Sequence, residues 1–299
     1  MSDEPRSYYG KPIIAEPVWS WEIPLYFFTG GLGGAAATLA AAADLSGRTT
    51  LARRAWLCSL AGLGISPALL ISDLGKPSRF LNMLRMIKVT SPMSLGTWLL
   101  LGTSGAATAG AAANLLPRTI GPVGHVARPL ACAFGSLLTT YTAVLVSDTS
   151  VPVWHEARRE LPFVFAAGAA ASAGAAVTLT APASYAGPAR TLAMAGATGS
   201  LAALQTMEKR LGMHREVYEQ GAAGPLGRAA KACIAAGLAS IGAGGRRRAG
   251  LSRAGVSLIL AGAVLERWSV FRAGFQSARD PKYTVVPQRA RIDARPRAT

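Results

Sequence analysis

The sequence predicts an all-α integral membrane protein with eight transmembrane helices. Of its 299 residues 51% are hydrophobic and only 15% charged, and the mean hydropathy is positive, more apolar than an ordinary soluble domain. Apolar windows near the roughly 20 residues that span a ~30 Å hydrocarbon core fall at 24–44, 54–73, 92–114, 126–147, 161–181, 188–206, 228–243 and 252–271, the seventh being the shortest. Most charges gather between these windows or at their edges. An even number of crossings returns both termini to one side, called face N here.

The N-terminal segment, MSDEPRSYYGKPIIAEPVWSWE, has acids, prolines and tryptophans where a signal peptide has a basic start and an apolar stretch, so the first span is expected to direct insertion. Trp19 and Trp21 read as interfacial anchors, and Pro24 suits the first turn of a helix. In the first span, the GGLGG run lacks the preceding strand and following acid of a dinucleotide fingerprint. Gly30 and Gly34, spaced i and i+4, read as one small-residue face for close helix contact.

Ser66–Gly96 joins the second and third spans. Asp73 stands at the edge of an apolar run, and Lys76, Pro77, Arg79, Arg85 and Lys88 alternate with Phe80, Leu81, Met83, Leu84, Met86 and Ile87. That spacing predicts a short helix in the membrane interface. A carboxylate near hydrocarbon is costly unless paired or wetted and marks a functional position. The alternative is that Asp73 caps a helix or pairs with Lys76 or Arg79.

The fourth span ends in Tyr141 and Asp148, and a loop with Pro152, Trp154 and His155 follows. Spans five and six are rich in alanine and glycine, as tightly packed membrane helices are. A hydrophilic segment, 207–228, precedes the seventh span. The eighth holds Glu266-Arg267 towards its end, and the basic tail from Gly274 shows no apolar period and is expected to lie along a surface or partner.

The net charge of +16 sits in loops and tails rather than on one folded patch, which favours lipid headgroups and partner subunits over nucleic acid. Cys58, Cys132 and Cys233 are far apart, inside spans and without a CxxC, so neither an iron–sulfur cluster nor structural zinc is expected. His125, His155 and His214 lie in loops or at span edges, where they cannot pair across a haem.

Alternating the spans brings Trp21, Glu22 and Tyr26, Asp73, Tyr141 and Asp148, and Glu266 with Arg267 towards face N. Of the 15 acids, only Asp44 belongs to the other side. Carboxylates, a phenol and tryptophans at the rim of an apolar bundle suit an amphipathic headgroup such as a quinone. Asp73 or Glu22 could relay protons and Tyr141 could donate to a carbonyl. A docking surface for a partner is the compatible alternative. A transporter with Asp44, Asp73, Glu208 and Glu266 along a path, or a structural anchor, are the competing classes.

The segments WSWEIPLYFFTGGLGG, ISDLGKPSRFLNMLR with TSPMSLGTWLL, YTAVLVSDTSVPVWHEARRELPFVF and ERWSVFRAGFQSARDPKYTVVPQR resemble the NrfD/PsrC-type membrane subunits of polysulfide reductase and related molybdenum or tungsten oxidoreductases, including formate dehydrogenases. The resemblance runs from Tyr8 to Arg289. It implies two four-helix bundles, here 24–147 with the quinone site and 161–273, joined by a loop at 148–160. The tail 1–23 would lie on the partner-docking face and the basic tail 274–299 would close the chain. It implies no cofactor resident in this chain, with menaquinone or ubiquinone bound as substrate and electrons exchanged with a ferredoxin-like iron–sulfur subunit beside a molybdopterin catalytic subunit. By itself the chain would not be catalytic. Asp73 and Glu22 would handle protons, and Tyr141, Asp73, Trp21, Tyr26 and Arg79 would surround the quinone; some relatives carry histidine or asparagine where this chain has Trp21 and Glu22. A prokaryotic cytoplasmic membrane with face N outside is the implied setting, since Lys and Arg leave the two faces nearly balanced.

Overall fold

The computed structural model describes residues 13–76, 78–244 and 248–293. The start of the N-terminal tail, Pro77, part of the last basic loop and the end of the C-terminal tail lie outside the described residues. Among the described residues the fold is entirely helical: α1 Glu22–Leu45, α2 Thr49–Asp73, α3 Ser78–Met83, α4 Pro92–Leu115, α5 Pro117–Ser147, α6 Pro152–Glu156, α7 Leu161–Thr180, α8 Gly187–Arg210, α9 Glu216–Glu219, α10 Ala223–Gly244, α11 Ala249–Arg279 and α12 Lys282–Asp293.

Eight of these helices have 20 or more residues and overlie the eight apolar windows. By length and composition five, α1, α2, α5, α7 and α11, are apolar enough to cross a membrane. The hydropathy of α4, α8 and α10 is diluted by glycine, serine, threonine and terminal charges such as Arg190, Glu208 and Lys231.

Sequential long helices pack as antiparallel pairs, α1 with α2, α4 with α5, α7 with α8 and α10 with α11. Helix α1 also touches α5, α7 and α11. Its glycines do not form one face. A β-carbon at Gly33 would stand 2.9 Å from Leu63 on α2, one at Gly34 2.7 Å from the Gly135 carbonyl of α5, and one at Gly31 3.2 Å from Ala169 on α7. Absent side chains on three sides bring backbones close enough for dispersion to hold the bundle, the means left to helices in lipid, where burial from water contributes little. Hydroxyls reinforce it: Ser59 Oγ donates to the Gly33 carbonyl at 2.9 Å, and Thr29 and Ser66 hydroxyls meet at 2.9 Å. Phe27 against Phe165, with centroids 5.8 Å apart, joins the first four long helices to the rest.

Three expectations change. The interfacial helix expected to run on to Ile87 stops at Met83. The following segment is fixed instead by α4, where Ser94 Oγ donates to the Met86 carbonyl at 3.1 Å and Trp98 Nε1 to the same oxygen at 3.2 Å. The loop expected at 148–160 contains α6, which drives Trp154 into the protein. The last long helix, expected to end at 273, does not end there, and the tail that shows no apolar period begins with a helix. Helix α11 continues to Arg279 because Val270, Phe271, Gly274 and Ala278 bury one face, and α12 follows an Asp280 cap, whose carboxylate accepts from Lys282 N–H at 2.9 Å.

Candidate functional site

The two motifs flanking the 66–96 stretch each have a local reason. In Asp73-Leu74-Gly75, Gly75 takes φ +66°, the left-handed turn that ends α2, and its N–H reaches the Ser72 carbonyl at 3.3 Å. In Ser91-Pro92-Met93-Ser94-Leu95-Gly96, Ser91 Oγ caps α4 by accepting from Ser94 N–H at 3.4 Å, and Pro92 occupies its first turn. The Tyr141 hydroxyl donates to the Pro92 carbonyl, while its ring lies so close over Gly96 that a β-carbon there would overlap it. The motif thus builds a seat for Tyr141.

Asp73, at the last position of α2, makes no ion pair with Lys76 or Arg79 among the described residues. Its Oδ1 accepts from Ser20 N–H at 3.2 Å and from Ser20 Oγ at 2.8 Å. Ser20 Oγ also touches Glu22 Oε2, and Ser72 Oγ donates to Glu22 Oε1 at 3.4 Å. One hydroxyl therefore stands between two carboxylates. It has a single hydrogen, so it can donate to one at a time; whichever it serves, Asp73 keeps the Ser20 N–H and Glu22 keeps the Ser72 hydroxyl.

Beside Tyr141, α4 and α5 leave an apolar groove of about 660 Å³, lined among others by Leu95, Trp98, Leu99, Phe134, Leu137 and Val144. Tyr141 is 9% exposed. The helix ends bearing Glu22, Asp73, Pro92 and Tyr141 lie together because α1, α2, α4 and α5 alternate in direction. Tyr26 is buried, its ring against Gly30 and Phe27. Trp21 is 60% exposed and stands outside the cluster, and Arg79, exposed on α3, makes no ion pair among the described residues. The structure therefore brings together Asp73 and Glu22, seats Tyr141 beside the groove, and leaves Arg79 and Trp21 on the surface.

The tail before α1 crosses the other half of the molecule. Glu16 pairs with Arg279 at 2.8 and 2.9 Å, and Trp19 stacks on Trp154 with centroids 5.6 Å apart. Trp154 is buried, its Nε1 donating to the Val270 carbonyl at 2.8 Å. The bond from Arg279 holds the Glu16 carboxyl below its ordinary range, and that from Lys282, at 2.7 Å, does the same for Glu216. A lowered carboxylate stabilises the docked form above its ordinary pKa, and that contribution is lost as pH falls through the lowered value. Acidification below about pH 4 is therefore expected to undock the N-terminal tail and α12. Loss of Trp19 stacking in the fluorescence spectrum, and faster proteolysis near Glu16, would show it; unchanged proteolysis at low pH would contradict it.

Sequence reasoning placed Glu266 and Arg267 near a span end. Because α11 continues, they lie well inside it, each with a side chain 2% exposed. They pair with one another; Ser200 Oγ donates to Glu266 Oε2, and Arg267 Nη2 donates to the Phe165 carbonyl at 2.9 Å while its guanidinium lies 4.0 Å from the Phe165 ring centre. A β-carbon at Gly168 would come within 2.9 Å of both Arg267 and Glu266, so α7 leaves room for them there. Nothing in the sequence foretold Ser20, Ser72, the Pro92 carbonyl or Gly96 as parts of the site. A backbone acceptor has no residue signature, and serines and glycines are common in this chain. At the opposite end, Asp44 accepts from Trp56, Asn114 and Arg128 at 2.9, 2.6 and 3.1 Å, a lock that ties α1, α2, α4 and α5.

Long apolar helices and a polar rim over a greasy groove define a multi-pass membrane protein. The model of the polysulphide reductase family NrfD matches residues 12–203, almost two thirds of the chain, and the chain belongs to that family. The match takes in α1 to most of α8 and so contains the Asp73 cluster and the Tyr141 seat. No curated protein matches the chain.

Proposed function

We propose that the chain is the quinone-reactive membrane subunit of an oxidoreductase complex, passing electrons between an iron–sulfur partner docked on face N and the membrane quinone pool. The observation that carries this reading is the Tyr141 seat, which opens on an apolar groove at the same end of the helices as the Asp73–Ser20–Glu22 cluster. All eight long helices cross the bilayer in this reading, as two four-helix bundles, α1, α2, α4 and α5 in one and α7, α8, α10 and α11 in the other.

A quinone takes up two electrons and two protons to become a quinol. The groove would hold its tail and bring the ring level with Tyr141. The phenol would turn its hydrogen from the Pro92 carbonyl to a quinone oxygen, a bond that strengthens as that oxygen gains electrons. Asp73 and Glu22, bridged by Ser20, would hand protons in from water at the rim. Tyr26 walls the site beneath them.

The partner is a ferredoxin-like subunit beside a molybdenum or tungsten catalytic subunit, with formate oxidation the favoured activity of the whole. Face N then lies outside the cytoplasm of a prokaryote. The opposite end carries clefts lined by Arg48, Arg190 and Arg253, which suit anionic lipid headgroups.

The purified complex provides the test. Tyr141→Phe and Asp73→Asn should each lower quinone reduction by roughly 100-fold or more, the scale of a lost proton donor, while the complex still assembles and dye-linked substrate oxidation persists. Full quinone activity in both variants would remove the assignment.

A further inference from the structure

Helices α8, α9, α10 and α11 enclose a small cavity, outside the region matched by the family, that the quinone reading leaves unused. It is lined by Glu208, Tyr218, Lys231, Glu266 and Ser269 with apolar neighbours. Its volume is about 10 Å³, close to the least that admits one water, roughly 10–15 Å³. The Tyr218 hydroxyl is buried there, in a residue 7% exposed, and has no hydrogen-bond partner among the described residues. An orphaned buried hydroxyl is costly, and although most of the wall is apolar, Tyr218, Glu208 and Glu266 give a water the roughly two to four polar partners it needs.

The cavity has one polar end. Glu208 and Lys231 pair at 2.6 and 2.8 Å, with the lysine side chain 41% exposed, and Glu208 stands two residues from the face-N end of α8. Deeper in lies Glu266. Each of its oxygens already accepts one bond, from Arg267 and from Ser200, and each keeps a further lone pair. Beyond it, towards the opposite face, Ala193, Ala197, Ile234, Ile241, Val256 and Ile259 pack as an apolar plug.

We propose that this cavity binds one water molecule which, held among Tyr218, Glu208 and Glu266, lets the Glu266 carboxylate exchange a proton with face N and not with the opposite face. The proton passes from bulk to the Glu208 carboxylate, then to the water, then to Glu266, one O–H bond breaking as another forms at each transfer. Arg267 keeps its own proton and charge when Glu266 is neutralised, because the Phe165 carbonyl and ring hold the guanidinium independently. The site stands apart from the quinone reading and does not require it.

Two measurements on the full chain in its complex test this. The first is the sign of the melting-temperature change in Tyr218→Phe, which removes only the hydroxyl. With a water bound the variant loses a hydrogen bond and melts lower; with a dry cavity it sheds an orphaned group and melts higher, which overturns the proposal. The second is infrared spectroscopy after an acid jump. A carboxylic-acid carbonyl band should rise in the wild type and be missing in Glu266→Gln. Its rise should be slowed on the order of tenfold in Tyr218→Phe and Glu208→Gln, as for a lost proton relay. A band that persists in Glu266→Gln, or a rise unchanged in Tyr218→Phe, overturns it; if Glu266→Gln does not fold, the Tyr218→Phe outcomes still decide.

Discussion

Arg267→Leu is expected to remove a large fraction of the stability of the fold. Removing one partner of a buried ion pair leaves an uncompensated charge and costs about 3–5 kcal/mol, against a total of about 5–15 kcal/mol for a typical domain. Here the loss is compounded, since the guanidinium also donates to the Phe165 carbonyl and covers its ring. Arg267→Lys keeps the charge but not the planar fork, and should fall between. The double variant Glu266→Gln, Arg267→Leu should recover most of the loss, because no buried charge remains. Melting temperatures of the purified chain in detergent decide the matter. If the single leucine variant melts no lower than the double one, the two side chains are not coupled as their contact implies. Gly168→Ala probes the same pair from α7, where a β-carbon would press on both partners.

Five of the eight long helices were legible because a hydrocarbon-length apolar run is a strong and nearly unambiguous signal, and α4, α8 and α10 gave the same signal diluted. Their ends beyond the apolar windows were harder. Helix α11 runs eight residues past its window because side-chain packing, not hydropathy, sustains it, and Trp154 supplies that packing from a segment that reads as a loop. The start of α12 was written in Asp280-Pro281, a cap followed by a first-turn proline, but a charged, proline-containing tail hid it. Asp73, Glu22 and Tyr141 stood out as polar groups at apolar edges. What they bind did not, because Ser20 precedes the first span, and the Pro92 carbonyl belongs to a backbone every residue shares. The depth of Glu266 and Arg267 is hidden for the same reason as the end of α11: the last apolar residue of the window does not mark the end of the helix.

Gly102→Trp should separate the two parts of the proposed quinone site. Gly102 lines the groove opposite Phe134, six residues along α4 from Gly96, and therefore about 9 Å from the Tyr141 seat. An indole there would fill the path of an isoprenoid tail and leave the polar end intact. The tail gains little free energy by leaving lipid for the groove, since both are apolar. In the proposed reading the groove acts instead by shape, aligning the ring with Tyr141, so an obstruction should exclude rather than weaken. The expected result is a loss of activity on the order of 100-fold with a long-tailed quinone, the scale of a misplaced reactant, while a tail-less analogue is reduced at close to the wild-type rate. Tyr141→Phe should impair both substrates alike, because it alters the end that meets the ring. Equal losses for the two quinones in Gly102→Trp would mean that the tail enters elsewhere, and the groove between α4 and α5 would then have to be read as ordinary lipid-facing surface.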